Sequence, residues 1–250
     1  LESQGKNLDS IIRGVNLKFL TERSDGKTVS VGDLYGYEIA TLNQGVVVMG
    51  KSLSDGLIYP AFRDFLVDSI HYSFATFNVS HELADYVNGF QRYQKYSRKD
   101  VFRILGWDSN PNPQNVGGYI VSPDESNCPI FVNYQKIGDI SDTLKYEDQF
   151  TAPDRFTYMS KNRRTLESPD VLTIRSQKSN AIRLPLFVKK SNDEGLKFYF
   201  MGDLTTIESS FTQEIMKVDD GPDVSVVRMD FELDKKVDRG LYDYITEVRQ

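Results

Sequence analysis

The chain has 250 residues, 26% of them charged, and a net charge of −6, long enough for one large domain or two small ones that bury a core without cross-links. Its single cysteine, Cys128, excludes an internal disulfide, and with only His71 and His81 beside it a Cys/His zinc site is excluded as well. No apolar run approaches the ~20 residues of a membrane helix and the polar start carries no signal peptide, so a cytoplasmic, reducing setting with no membrane partner is expected. The first residue, Leu1, is not Met, which reads as a piece of a longer protein.

From the N-terminus, Leu8–Leu20 has apolar residues at helical spacing. Ser30–Gly50 reads as a short strand pair turning at Asn43-Gln44-Gly45. Tyr59–Phe77 predicts an amphipathic helix, with Phe62, Phe65, Leu66, Ile70 and Phe74 repeating at three and four. A further short helix is expected over Ser80–Asn88, making residues 1–90 a mostly helical region.

The texture changes near Phe90. "YSRKDVFRILGW" predicts a helix capped at Ser97, stopped by Gly106, with Trp107 a core residue sealing the helix against a sheet. After the loop "NPNPQNVGG" come strand-like runs: "GYIVS", "CPIFVNYQ", "RFTYMS", "IRLPLFVKK", "LKFYFMGD" and "VSVVRMDFELD". One helix interrupts them, "SPDVLTIRSQ", with Ser168 as cap and Pro169 in the first turn. Residues 91–250 therefore predict an α+β domain on a curved sheet or barrel.

Charge is uneven within that domain. Nine Lys or Arg face two acids between Arg155 and Lys190, a net of +7, whereas Ser191 to the end carries fourteen acids against seven bases, a net of −7. One positive face on an acidic body is one reading, and an ordinary solvated surface is the other.

Catalytic motifs are weak. "GKT" at Gly26–Thr28 lacks the glycine five positions earlier that a phosphate loop requires, since Thr21 stands there. Asp223, Asp234 and Lys236 have a spacing loosely like that of a metal-dependent nuclease, a spacing also common in acidic strand-turn-strand segments. Neither histidine sits in a nucleophile elbow. No cofactor and no resident metal is implied, and no catalytic centre is expected in this stretch.

From Tyr96 onward the segments "YSRKDVFRILGW", "GGYI", "CPIFVNYQK", "KYEDQF", "MSKNRRTLES", "LFVKK" and "FYFMGD" resemble, in order and spacing, the DUF3427 family found at the C-terminus of large bacterial helicase-nuclease proteins. The resemblance implies an upstream helicase and nuclease in the same full-length chain, an ATP-dependent, modification-dependent (type IV) restriction enzyme, with this part choosing the DNA. A second, shorter resemblance is to SRA domains, which carry "YEDD" followed by "FFTYTGSGG" where this chain has "YEDQ" and "RFTYMSKNR". It implies an SRA-like fold in which Tyr146 and Tyr158 sandwich a flipped 5-methylcytosine, with 5-hydroxymethylcytosine a further candidate base.

The SRA acidic residue that accepts from the cytosine amine is Gln149 here. A glutamine carbonyl can accept from N4 while its amide donates to N3 or O2; Asp148 is the alternative acceptor. Glu147, Met159 and the Ser160 hydroxyl belong to the same expected pocket, and Lys161, Arg163, Arg164, Arg155 and Lys145 are the expected phosphate contacts. Extruding a base costs a few kcal/mol, and stacking on aromatic rings returns about 1–3 kcal/mol per base, so two tyrosines could offset the flip. The expected partner is double-stranded methylated DNA. In the competing reading Tyr146 and Tyr158 are core aromatics of adjacent strands, with Tyr119 and Tyr134 an alternative stacking pair.

Overall fold

The protein is described by a computed structural model over residues 8–83, 85–112, 116–134, 148–217 and 222–247, with backbone alone over 80–83. It separates into two compact units, Leu1–Gln91 with Lys99–Pro111, and Arg92–Arg98 with Asn112–Gln250.

The first unit alternates helices with hairpins. Helix α1 (Leu8–Val15) leads to hairpin β1 (Thr21–Ser24) and β2 (Lys27–Ser30), helix α2 (Val31–Tyr35), hairpin β3 (Ala40–Asn43) and β4 (Val46–Met49), helices α3 (Lys51–Gly56) and α4 (Pro60–Leu83), and strands β5 (Tyr86–Val87) and β6 (Phe90–Gln91). The expected turn between β3 and β4 is present. Asp25-Gly26, Gln44-Gly45 and Asn88-Gly89 all have positive φ, the backbone that tight hairpins of right-twisted strands require. The Asn88-Gly89 turn overturns the helix expected over Ser80–Asn88: α4 runs on to Leu83, and Tyr86 then pairs with Gln91. The unit is thus only partly helical. Asn16 pins α1 to β3, its buried amide donating to Ala40 O at 2.7 Å and accepting from Ile39 N at 2.7 Å. The predicted apolar face of α4 does not meet a core: Phe62, Ile70 and Phe74 are exposed and Phe65 is 72% exposed.

The second unit opens with β7 (Lys95–Ser97), and α5 (Arg98–Ile104) carries the chain back to the first, where Gly106 ends it at φ +81. Trp107 is half-buried and packs on the Phe102 ring at 4.7 Å. The remaining elements are β8 (Ile130–Asn133), β9 (Gln149–Ala152), β10 (Arg155–Met159), α6 (Pro169–Arg175), α7 (Gln177–Asn180), β11 (Leu184–Lys189), β12 (Lys197–Thr206), β13 (Thr212–Met216), β14 (Val224–Leu233) and α8 (Arg239–Thr246). Every predicted strand from "CPIFVNYQ" onward is present. "GYIVS" contributes only a bridge from Tyr119 to Ile130.

Eight strands form one mixed sheet in the order β8-β11-β12-β14-β10-β9, with β7 added to β12 and β13 to β14. Among the described residues only β8 and β11 run parallel in this sheet. The two long strands carry two partners along one edge: β12 takes β7 at Lys197–Tyr199 and β14 at Leu204–Thr206, and β14 takes β13 at Val224–Arg228 and β12 at Phe231–Leu233. This sharing, with register shifts at Leu186/Phe187 and Arg155/Phe156, lets the strands splay. A closed barrel, one of the two expected forms, is not seen: among the described residues no ladder joins β8 to β9, and closure requires the end strands to pair.

At the Leu186/Phe187 shift, Gly202 of β12 has φ +131, and a Cβ there would strike both the Arg92 guanidinium and the Asp234 carboxylate. The "FYFMGD" glycine is therefore set by an ion pair crossing the backbone. One face of the sheet buries Ile130, Val132, Leu184, Leu186, Val188, Met201, Met229 and Phe231, and α6 adds Val171 and Ile174 to the same cluster. Part of the opposed charge of the two sequence segments pairs internally: Arg155 meets Glu232 at 2.5 Å, Arg183 meets Asp203 at 2.9 Å and Lys190 meets Glu247 at 3.7 Å. No described helix is long and apolar enough to cross a membrane.

Candidate functional site

The β9–β10 hairpin carries the second half of the tyrosine motif. Alternation along β10 sends Phe156 and Tyr158 into the core and Thr157 and Met159 to the other face. Tyr158 is 4% exposed and meets Tyr119 edge to face, with ring centroids 5.9 Å apart. Gly118, at φ +96, brings its backbone so close that a Cβ would strike the Tyr158 hydroxyl. This gives the "GGYI" segment a physical reason for its second glycine. Burial, then the charge of Asp148, pushes the Tyr158 phenol well above its ordinary range.

Asp148 accepts from the Met159 backbone N–H at 3.0 Å, holding the start of β9 against the end of β10. Gln149 is half-buried and pairs across the hairpin with Thr157. The Ser160 hydroxyl is committed to β14, accepting from Val227 N at 2.8 Å. Tyr146, Glu147 and Lys145 lie outside the described residues. Tyr119 and Tyr134 are not brought together as a stacking pair: Tyr119 packs on Tyr158, and Tyr134 stacks on Phe150 at 6.1 Å.

An open cleft of about 360 Å³ is lined by Tyr119, Val121, Lys161, Arg164, Pro169 and Asp170, among others, a size in the ~300–1,000 Å³ range of small-ligand sites. Its polar core is a chain of hydrogen bonds. The Tyr119 hydroxyl and Arg164 Nε both donate to Asp170 Oδ2, each at 2.7 Å. Burial opposes ionisation of Asp170, but the Arg164 and Tyr119 hydrogen bonds outweigh it and hold the carboxyl below its usual range. The same burial, with the Asp170 bond, raises the Tyr119 phenol. Lys161 Nζ lies 4.7 Å from the Tyr119 ring centroid, and burial lowers its pKa while Asp170 opposes the shift. Cys128 is fully buried, and burial pushes its thiol up to about 12, which disfavours the thiolate.

Of the expected phosphate contacts, the fold brings Lys161 and Arg164 to one cleft. Arg163 is exposed nearby at φ +62 and has no ion pair among the described residues. Arg155 stands apart: it begins β10, four residues before Met159, and its guanidinium is spent on Glu232. The residue that organises the cleft, Asp170, is not among the residues the sequence marks for the site. The signal for it was "SPD", a carboxylate in the first turn of α6, but nothing local says that it faces Tyr119.

The nuclease-like residues are dispersed. Asp234 is held by Arg92 through Nη1–Oδ1 at 3.0 Å and Nη2–Oδ2 at 2.7 Å, Lys236 reaches Asp154 at 3.7 Å, and Asp223 is exposed at the start of β14. Among the described residues no three His, Cys, Asp or Glu side chains converge as metal ligands.

Comparison with curated proteins finds no match. Among solved structures, the chain is similar to the DNA modification-dependent restriction endonuclease AspBHI, at 14% identity and TM-score 0.41, over 61% of this chain and 79% of that one. It is also similar to the sulfur binding domain and SRA domain of ScoMcrA complexed with phosphorothioated DNA, at 9% identity and TM-score 0.38, over 62% of this chain and 44% of that one. The sequence comparison covers more than half of the chain, taking in the whole sheet and the cleft: over residues 90–245 the chain belongs to the family described as a domain of unknown function, DUF3427.

Proposed function

We propose that the second unit is a reader of modified cytosine in double-stranded DNA, taking 5-methylcytosine and its hydroxymethyl form by base flipping, as the target-recognition part of an ATP-dependent type IV restriction enzyme. The observation that supports this reading is the cleft walled by Tyr119, which packs on Tyr158, where an aromatic ring, the Lys161 and Arg164 cations and one ionised carboxylate meet. A flipped nucleotide needs these features together: a ring face, a polar edge reader and cations for the flanking phosphates. In this reading the fragment has no catalytic centre. The first unit couples it to the helicase and nuclease parts of the same full-length chain.

The test is fluorescence anisotropy at physiological salt on duplexes that differ only in cytosine methylation, with wild type, Tyr146→Ala and Tyr158→Ala, each checked for folding by thermal melting. A methyl preference lost in folded variants supports the reading. A preference that survives both moves the pocket to the Tyr119 wall. Equal binding of both duplexes by wild type ends the modified-base reading.

A second reading, a protein-interaction module alone, is favoured by α4, whose Phe65, Tyr72, Phe74 and Val79 are all more than half exposed. Absence of any DNA binding at low salt would select it.

A further inference from the structure

The sheet has a second aromatic face. On β8, Phe131 and Asn133 alternate with Ile130 and Val132, which join the main core. Their register partners on β11 are Phe187 and Lys189. Phe131 stacks on Phe187 at 5.3 Å and meets Phe198 of β12 edge-on at 5.5 Å.

Two cations rest on this floor. The Arg98 guanidinium lies 5.2 Å from the Phe131 centroid and 5.4 Å from that of Phe198, and Lys189 Nζ lies 5.0 Å from Phe198. Neither has a carboxylate partner among the described residues. Lys189, only 7% exposed, donates to the Gly195 carbonyl at 3.0 Å. The acid whose field reaches it, Glu194, is already engaged by Lys95 at 3.6 Å, by the Lys190 N–H at 3.0 Å and by the Tyr244 hydroxyl. Arg98 Nε is buried with no hydrogen-bond partner, and so is Asn133 Oδ1.

Like charges held near each other where water is partly excluded are unfavourable unless an anion joins them. Burial lowers the pKa of both cations, and their mutual repulsion lowers that of Lys189 further. A buried guanidinium nitrogen left unpaired costs the full desolvation of a charged donor. An oxyanion would satisfy Arg98 and Lys189 together, and with the Asn133 amide turned end for end its NH₂ would donate to the same ligand. A planar guanidinium beside a point-charge ammonium suits a tetrahedral phosphate.

We infer that Arg98, Lys189 and Asn133 form a phosphate-binding subsite that takes one phosphodiester of bound DNA, separate from the Lys161–Arg164 cleft. The inference rests on the DNA-binding reading above. It adds that charge read from the start of α5 and the end of β11, outside the "KNRR" cluster, contributes to affinity and not to methyl selectivity.

The experiment measures binding of methylated and unmethylated duplexes over a salt series, with wild type, Arg98→Gln and Arg98→Lys, and records melting of each in inorganic phosphate and in chloride at equal ionic strength. Arg98→Gln is expected to melt no lower than wild type in chloride and to lose the extra stabilisation by phosphate. It should also flatten the slope of log K against log salt by about 0.9, the value of one phosphate contact, with the ratio of methylated to unmethylated binding unchanged. Arg98→Lys should keep most of the slope. Wild type that binds DNA while folded Arg98→Gln keeps its slope and its phosphate response overturns the subsite and leaves the reader intact. Failure of wild type to bind DNA ends the reader, and a phosphate response that still depends on Arg98 would then support the anion site by itself. A variant that melts well below wild type in chloride assigns Arg98 a structural role and overturns the proposal.

Discussion

Replacing Asp234 with Ala should be among the most destabilising single changes in the second unit. Arg92 is 3% exposed at its side chain, Asp234 supplies both acceptors of its bidentate pair, and Met201 O accepts from it as well at 2.9 Å. Removing one partner of a buried pair costs about 3–5 kcal/mol. Asp234 is a third exposed, and solvent reaching it reduces the loss to roughly 2–3 kcal/mol. For a unit of this size that is a fall in melting temperature of about 4–12 °C. The double variant Arg92→Met/Asp234→Ala removes the cation as well and should recover at least ~1.5 kcal/mol of the single loss, because the cost lies in a buried cation deprived of its bidentate acid. Thermal and urea melts of wild type, Asp234→Ala, Arg92→Met and the double variant form the cycle. If Asp234→Ala melts within a degree of wild type, or if the two losses simply add, the pair does not hold β12 to the end of β14 in the way described. A metal-ligating Asp234 would behave oppositely, since removing mutually repelling carboxylates from an empty site raises stability.

Gly118→Ala should destabilise by about 1–3 kcal/mol, from a strained left-handed backbone and a clash with the Tyr158 hydroxyl. Adding Tyr158→Phe removes the clashing oxygen and should restore part of the loss in a melt, whereas the backbone strain stays. Asp170→Asn tests the cleft by pH. The Asp170 carboxyl is depressed in the folded protein, so its contribution is complete above the unfolded value of about 3.9 and fades as pH falls through the lower folded value. The substitution should therefore lower stability at neutral pH and flatten the acid limb of the stability profile. It should also free Arg164, steepening the salt dependence of binding to unmodified DNA. An unchanged acid limb would show that the Tyr119–Asp170–Arg164 chain is not formed in solution.

How much of this was legible beforehand differs between local and non-local features. The strands "CPIFVNYQ", "RFTYMS", "IRLPLFVKK", "LKFYFMGD" and "VSVVRMDFELD" could be read because each is a dense run of β-branched and aromatic residues ended by polar turn residues, a pattern carried within ten positions. The weaker strands β9 and β13 have short mixed sequences and form only because β10 and β14 present open edges. The Asn88-Gly89 hairpin was legible in principle from its dipeptide and was overridden by the helical texture before it.

The site divides the same way. Sequence alone determined that tyrosines, carboxylates and cations are concentrated around residues 145–164, since that is composition along the chain. It could not say that Tyr158 faces inward against Tyr119 and Gly118, that Arg155 is neutralised by Glu232, or that Arg164 answers to Asp170. Those facts depend on which strand lies beside which and in what register, and a one-residue slip would turn every one of these side chains to the opposite face. Tertiary structure alone decided which cations have acids beside them and which, like Arg98 and Lys189, stand without one among the described residues, because pairing is set by distances between residues remote in sequence.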